Sequence, residues 1–269
     1  MRRLANTSRR RRSKKIRRVV SRGLVNTKSL SFDGVNDKAA WAANTTIPNL
    51  IGDTDHAWSY WIKKPDFSVA GSGFQSTLIY ALFFYGGGLS SFIYGAIGEN
   101  SHGTSPGKFV CQAVRGASTY WNYSSDSDIT SNFNNNDWNH VVISMNDNGT
   151  GFDVTVYING NAIAGTNTSP NSNDFTGINF GDLAIGGVQT FNAGTDVYDV
   201  TELDEIALFN TTLSASDVTA IYNSGVPADE SARSGLVGYW RLEDNGNDSS
   251  SNSNALTITG ATFTDDVPS

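Results

Sequence analysis

Cysteine occurs once in the sequence, at Cys111, so no internal disulfide can brace the fold. Within the alternating stretch KFVCQAV it reads as a small buried hydrophobe. Histidine is almost as scarce: His56, His102 and His140 lie far apart and outside any zinc or nucleophile motif, which leaves no histidine-based metal or acyl-transfer centre in view. His140, next to Trp138-Asn139, reads as a sheet residue rather than a base. No stretch approaches the roughly 18 apolar residues of a membrane helix. No apolar run of about 7–15 residues follows the basic start, as it would in a secretory signal. Membrane insertion and export by the usual signal are therefore not expected. The one glycine cluster, YGGGLSS, sits among aromatic strand-like segments rather than before a helix, and reads as a turn, not a phosphate loop.

Positive charge is also missing from most of the chain. Eleven of the 19 basic residues fall within residues 1–22, and the first acid is Asp33; the remainder carries 8 basic against 26 acidic residues, a net of −18. Residues 1–27 hold no acid and few apolar positions, so they cannot bury enough surface to offset the entropy of ordering. We expect a partner-ordered arm over 1–27 and a folded domain over 28–269. The block of Arg9, Arg10, Arg11, Arg12, Lys14, Lys15, Arg17 and Arg18 suits a phosphate backbone. It equally suits the acidic surface of a neighbouring protein subunit, and a solvated tail or a localisation tag stays open beside both.

What is abundant is glycine and aromatic residues, 27 glycines and 11% aromatics over the whole chain, nearly all of them in the body, the composition of antiparallel strands joined by turns. In HAWSYWIKK, Trp58, Tyr60 and Ile62 alternate with Ala57, Ser59 and Trp61, so both faces are apolar and the strand is expected at the centre of a sheet. WNHVVISM and FDVTVYINGNAIAG flank Asn159-Gly160, a two-residue hairpin signal because both residues accept positive φ. Strand limits are indistinct between residues 70 and 135. One helix is predicted in TLSASDVTAIYNSG. Ser214 is its N-cap, Asp217 stands at N3, and Leu213 staples onto Val218. Val218, Ile221 and Tyr222 would pack on the sheet, and Gly225 would end the helix ahead of Pro227.

The segments LSFDGVNDKAAW, HAWSYWIKKPD, WNHVVISMNDNG with VTVYINGN, LAIGG, ELDEIALFNTTLSASDVTAIYNSG and GLVGYWRLEDNGNDSSSNSNALTITGATF follow one another over residues 28–265. In that order they resemble a concanavalin A-like, laminin-G-like domain. The resemblance implies an all-β fold: a two-sheet antiparallel jelly-roll sandwich with one short helix, here preceded by the basic arm. The last segment often opens such a domain, whereas here it closes the chain. It is expected beside Leu30–Asp33, completing one domain rather than beginning another.

Retaining glycan hydrolases of the laminarinase type share this sandwich and carry a Glu-x-Asp-x-Glu line. In TELDEIALF, period-two alternation puts Glu202 and Asp204 on one face with Ile206 and Leu208, and Glu205 on the other. Ile206 occupies the place of the acid/base, and a retaining mechanism needs two carboxyls about 5 Å apart. We therefore expect a non-enzymatic protein. Some members of the family bind calcium through loop oxygens, and Asp33, Asn36 and Asp37 offer ligands of that type, though such residues also make ordinary turns. No cofactor is expected to be required. Tyr120, Trp121 and Tyr123 in STYWNYSS form a candidate patch for stacking on sugar rings, with a core strand as the alternative. The arm resembles those of icosahedral viral coat proteins. That likeness implies a homo-oligomeric structural component of a virion, with the arm on capsid proteins or nucleic acid and the jelly roll exposed to glycan. A free lectin-like module is the alternative.

Overall fold

Alternating bulky residues build two antiparallel sheets in the computed structural model, which describes residues 24–41, 55–67, 78–84, 91–97, 107–115, 118–149, 152–168, 180–191 and 195–269. The strands are β1 (Ser29–Asp33), β2 (Lys38–Trp41), β3 (His56–Lys63), β4 (Leu78–Phe84), β5 (Ser91–Ile97), β6 (Phe109–Arg115), β7 (Ser118–Ser125), β8 (Trp138–Asp147) and β9 (Phe152–Ile158). They continue as β10 (Asn161–Ile163), β11 (Gly165–Thr168), β12 (Phe180–Ile185), β13 (Gly187–Phe191), β14 (Thr195–Tyr198), β15 (Val200–Phe209), β16 (Leu236–Trp240), β17 (Leu256–Thr259) and β18 (Thr262–Thr264). Helix α1 (Ala215–Tyr222) lies between β15 and β16. The first sheet runs β10-β9-β8-β3-β15-β1-β18, with β16 also on β15; the second runs β11-β7-β6-β5-β4-β12-β2-β17; β13 and β14 form a separate hairpin. Among the described residues no helix is long and apolar enough to cross a membrane.

Strand β3 sits between β8 and β15 and is buried at every residue from His56 to Ile62, as its two apolar faces require. Trp58, Tyr60 and Ile62 point into the core between the sheets, with Leu30, Phe32, Ile143 and Leu208. Ala57 on the opposite face joins a second apolar layer under α1, made with Val142, Phe209, Val218, Ile221 and Tyr239. Each such large side chain removed from water contributes roughly 1.5–3 kcal/mol. The first sheet is thus covered on both sides, by the second sheet and by the helix. Cys111 lies fully buried in the inter-sheet core.

The hairpin and the helix start follow their sequence signals. Asn159 (φ 50°) and Gly160 (φ 78°) are both left-handed and pair Ile158 with Asn161. The Ser214 hydroxyl accepts from the Asp217 N–H while the Asp217 carboxylate accepts from the Ser214 N–H, a reciprocal cap. The helix ends earlier than expected: Asn223 takes the left-handed conformation (φ 46°) and its N–H bonds to the Thr219 carbonyl, with Gly225 two residues beyond. Asparagine enters this region at little cost, so glycine is not needed for the stop.

The closing segment completes both sheets. Strand β18 pairs with β1, Leu30 opposite Phe263, so this segment lies where it was expected, while β17 pairs with β2 and β16 with β15. Trp240 is fully buried, its indole N–H donating to the Asn254 carbonyl at 2.7 Å.

Candidate functional site

The residues singled out from the sequence do not gather in one place. The arm residues Arg9, Arg10, Arg11, Arg12, Lys14, Lys15, Arg17 and Arg18, and His102, lie outside the described residues. Tyr120 and Trp121 belong to β7, but their side chains fall outside the described residues. Tyr123 corrects the stacking patch: it is 1% exposed, edge-on to Phe109, with its hydroxyl donating to the Ile163 carbonyl at 3.1 Å. Its ring packs the core and offers no open face to a sugar.

Asp33, Asn36 and Asp37 form a turn. The Asp33 carboxylate accepts from the Val35 N–H at 2.8 Å. The buried Asp37 carboxylate accepts from the Asp33 N–H at 2.9 Å, and Gly260 packs so closely that a Cβ there would lie 2.0 Å from Asp37 Oδ1. Each of these two carboxylates thus has one oxygen committed to a backbone donor of the turn. Among the described residues no group of three or more His, Cys, Asp or Glu could hold a metal ion.

The acids of β15 are rearranged by a bulge. Register against β3 slips by one residue between Asp204 and Ala207, and Glu205 has φ 47°, so the expected strict alternation breaks at Glu205. Ile206 and Leu208 face the inter-sheet core. Asp204 pairs with Trp61 on the outer face, and Glu205 reaches outer-face Tyr239, which donates its hydroxyl to the carboxylate. The expectation that Asp204 shares a face with Ile206 and Leu208, opposite Glu205, is therefore corrected. The bulge is held by the Asp204 carboxylate, which accepts from the Glu205 N–H at 2.9 Å and from the Asn26 amide at 2.8 Å. Arg241 supports Glu205 at 3.4 Å and also donates to the Val25 carbonyl.

Burial dominates the electrostatics here. It pushes the Asp204 carboxyl up to about 8, with the Glu205 charge adding to the effect. Glu205 is pushed up to about 7 against the pull of Tyr239 and Arg241. Glu230, 1% exposed, is pushed up to about 8 by the same loss of water. The Ser59 hydroxyl bonds with Glu230 at 3.4 Å and shares a 3.0 Å hydrogen bond with His140 Nε2. Burial holds His140 near 3, hence neutral. Perturbed carboxyls beside a Ser-His pair are a pattern associated with active sites. Here Ser59, His140 and Asp204 are each 0% exposed, so no substrate bond can be brought to them.

An accessible cleft lies beside this cluster, on the same outer face. A cleft of about 370 Å³ is lined by Trp61, Asn134, Asp137, Trp138, Tyr222 and Asp266, among others. Each wall comes from a different segment: the end of β3, the turn before β8, the start of β8, the end of α1 and the chain terminus. Tyr222 stacks on buried Trp61 (5.9 Å, 23°) and on His140 (5.9 Å, 21°), and remains half-buried. Half-buried Trp138 is oriented by its indole N–H, which donates to the Asp266 carboxylate at 2.9 Å; Lys63 holds the other oxygen of that carboxylate. The accessible lining is mostly polar, with amides and carboxylates beside the two rings, and suits a ligand that presents hydroxyl groups.

Residues 33–219 match the family model described as the concanavalin A-like lectin/glucanases superfamily. The chain belongs to that superfamily. Two solved structures show how widely its sandwich is shared. This concanavalin A-like chain aligns with the native heptameric SAP-like pentraxin from Limulus polyphemus at TM-score 0.54 and 12% identity, covering 88% of this chain and 94% of that one. It aligns with a Bacteroides ovatus protein described as a "putative carbohydrate binding protein" at TM-score 0.58 and 17% identity, covering 91% of this chain and 62% of that one. At such identities the likeness is one of fold. Comparison by sequence with curated proteins gives no match.

Proposed function

We propose that this chain is a non-catalytic glycan-binding module, carried on a larger particle by its basic arm, with the jelly roll exposed and the outer-face cleft as the sugar site. The observation that carries the binding half is the cleft itself: Trp138 and Tyr222 present half-buried rings beside Asn134 and Asp137, in a superfamily of lectins and glucanases. The non-catalytic half rests on Asp204 and Glu205, which are buried in the bulge, while Ile206 sits in the core. The tether is argued from charge. An arm with eleven basic residues ahead of a body of net −18 suits a polyanion such as packaged nucleic acid, or the acidic surface of a capsid subunit or of a second copy. The particle we favour is a virion.

The test is a glycan array probed with the full chain, with and without calcium. Binding is expected in both conditions, and Trp138→Ala should weaken it about 5- to 30-fold, since loss of one stacking ring removes on the order of 1–2 kcal/mol. No binding to any glycan in either condition would falsify the reading. For the tether, deletion of residues 1–22 should abolish incorporation into particles and leave glycan binding intact; normal incorporation overturns it.

A further inference from the structure

The cleft has a neighbour. A second depression of about 460 Å³, lined by Thr130, Ser131, Phe133, Asn134 and Asn135, meets the aromatic cleft at Asn134. We infer that the two form one groove for the interior of an uncharged, linear oligosaccharide, one sugar on the Trp138–Tyr222 side and the following units across Asn134. This rests on the glycan-binding reading and specifies its ligand.

Shape, charge and rigidity support it. The aromatic cleft alone lies at the low end of the roughly 300–1,000 Å³ range of small-ligand sites, and the second depression extends it along a rim rich in hydroxyls and amides. Its floor is firm, because Phe133 is stacked on Phe67 with centroids 4.3 Å apart. The turn between the two parts is pinned through Asn139, whose amide donates to the carbonyls of Asn134 and Asp137, both at 2.9 Å. Asn139 also accepts from the Asn134 N–H at 2.9 Å and from the Asn159 amide at 3.0 Å. A wall held in this way is pre-ordered, so little entropy is lost when a chain settles on it. The charge lining the groove is acidic, from Asp137 and Asp266, and the nearby cation Lys63 is shared by Asp266 and Glu202. A carboxylate accepts well from sugar hydroxyls and repels a sialylated, uronic or sulfated unit.

The experiment measures affinities of the full chain for neutral homo-oligosaccharide ladders of gluco, manno and galacto configuration, with sulfated and sialylated counterparts alongside. Affinity is expected to rise about tenfold or more between the disaccharide and the tetrasaccharide and then level off. Anionic counterparts should bind at least tenfold more weakly. Asn134→Ala, an exposed change, should flatten the length dependence with the melting temperature unchanged. Equal affinity for short and long chains, preference for the anionic ligands, or length dependence undisturbed by Asn134→Ala overturns the inference while glycan binding stands. Absence of all glycan binding overturns the underlying reading instead.

Discussion

Replacing Asp204 by asparagine should stabilise the protein in alkaline solution and leave it unaided in acid. Asp204 is 0% exposed and titrates near 8 in the fold against an ordinary 3.8. At about 1.4 kcal/mol for each tenfold change in proton affinity, its ionisation in the fold is opposed by on the order of 5 kcal/mol. Between those two values the folded chain binds the proton and the unfolded chain does not. Stability is therefore fully present below about pH 4 and lost as pH rises through about 8. Glu205 and Glu230 are shifted in the same direction, whereas buried His140, held near 3 against an ordinary 6.5, opposes them below about 6.5, so the wild-type slope is most negative between about pH 6.5 and 8. Asparagine can keep the geometry: its oxygen accepts from the Glu205 N–H, and its amide can donate to the Asn26 side-chain oxygen, which has no partner among the described residues, once that amide turns over. After relaxation around the ion, the gain for Asp204→Asn should be about 1–3 kcal/mol at pH 8 and near zero at about pH 4. Urea denaturation across this range, at constant slope against denaturant, measures it. A wild type more stable at pH 8 than at pH 5, or a mutant with an unchanged pH slope, would refute the reasoning.

Two further substitutions probe the supports of the site. Gly160→Ala places a Cβ at φ 78°, 2.8 Å from the Tyr222 ring; it should cost about 1–2 kcal/mol, lower the melting temperature by about 3–8 °C, and weaken glycan binding by displacing Tyr222. A protein that melts as before with an undisturbed ligand affinity would contradict that packing. Arg241→Ala removes the donor to the Val25 carbonyl and a partner of Glu205. Hydrogen exchange at the Thr27 amide, which bonds to the Glu243 carboxylate, should accelerate about tenfold while β3 and β8 amides stay protected; equal rates would show that the root of the arm is held elsewhere.

The parts of the molecule that could be read from the chain are those governed by local geometry. Two consecutive positive-φ residues at Asn159-Gly160 leave few alternatives to a tight hairpin, and a serine three residues before Asp217 can only usefully close a helix start. The run from His56 to Ile62, apolar on both faces, left a central position as the one place able to bury it. The bulge at Glu205 was hidden because no glycine marks it; it exists through contacts with Asn26, Tyr239 and Arg241, residues up to 179 positions away in sequence. Asn223 ended the helix before the more conspicuous Gly225. The cleft was invisible for the same reason as the bulge, since Trp61, Asn134, Trp138, Tyr222 and Asp266 become neighbours only when the sheet, the helix and the terminus are assembled. Tyr123 looked like a binding ring because composition records an aromatic and not the direction it faces.

The pairing of β1 has a consequence for biosynthesis. Leu30 needs Leu203 on one side and Phe263 on the other, so a strand made among the first is seated among the last. While the chain leaves the ribosome, the apolar edge of β1 stays open until synthesis reaches Thr262. Closure over so long a sequence separation is slow, and an unpaired edge invites association with other chains. A ribosome stalled before β18 should therefore hold a nascent chain that chaperones capture and proteases cleave near β1, with protection arriving abruptly once the final strand is released from the exit tunnel.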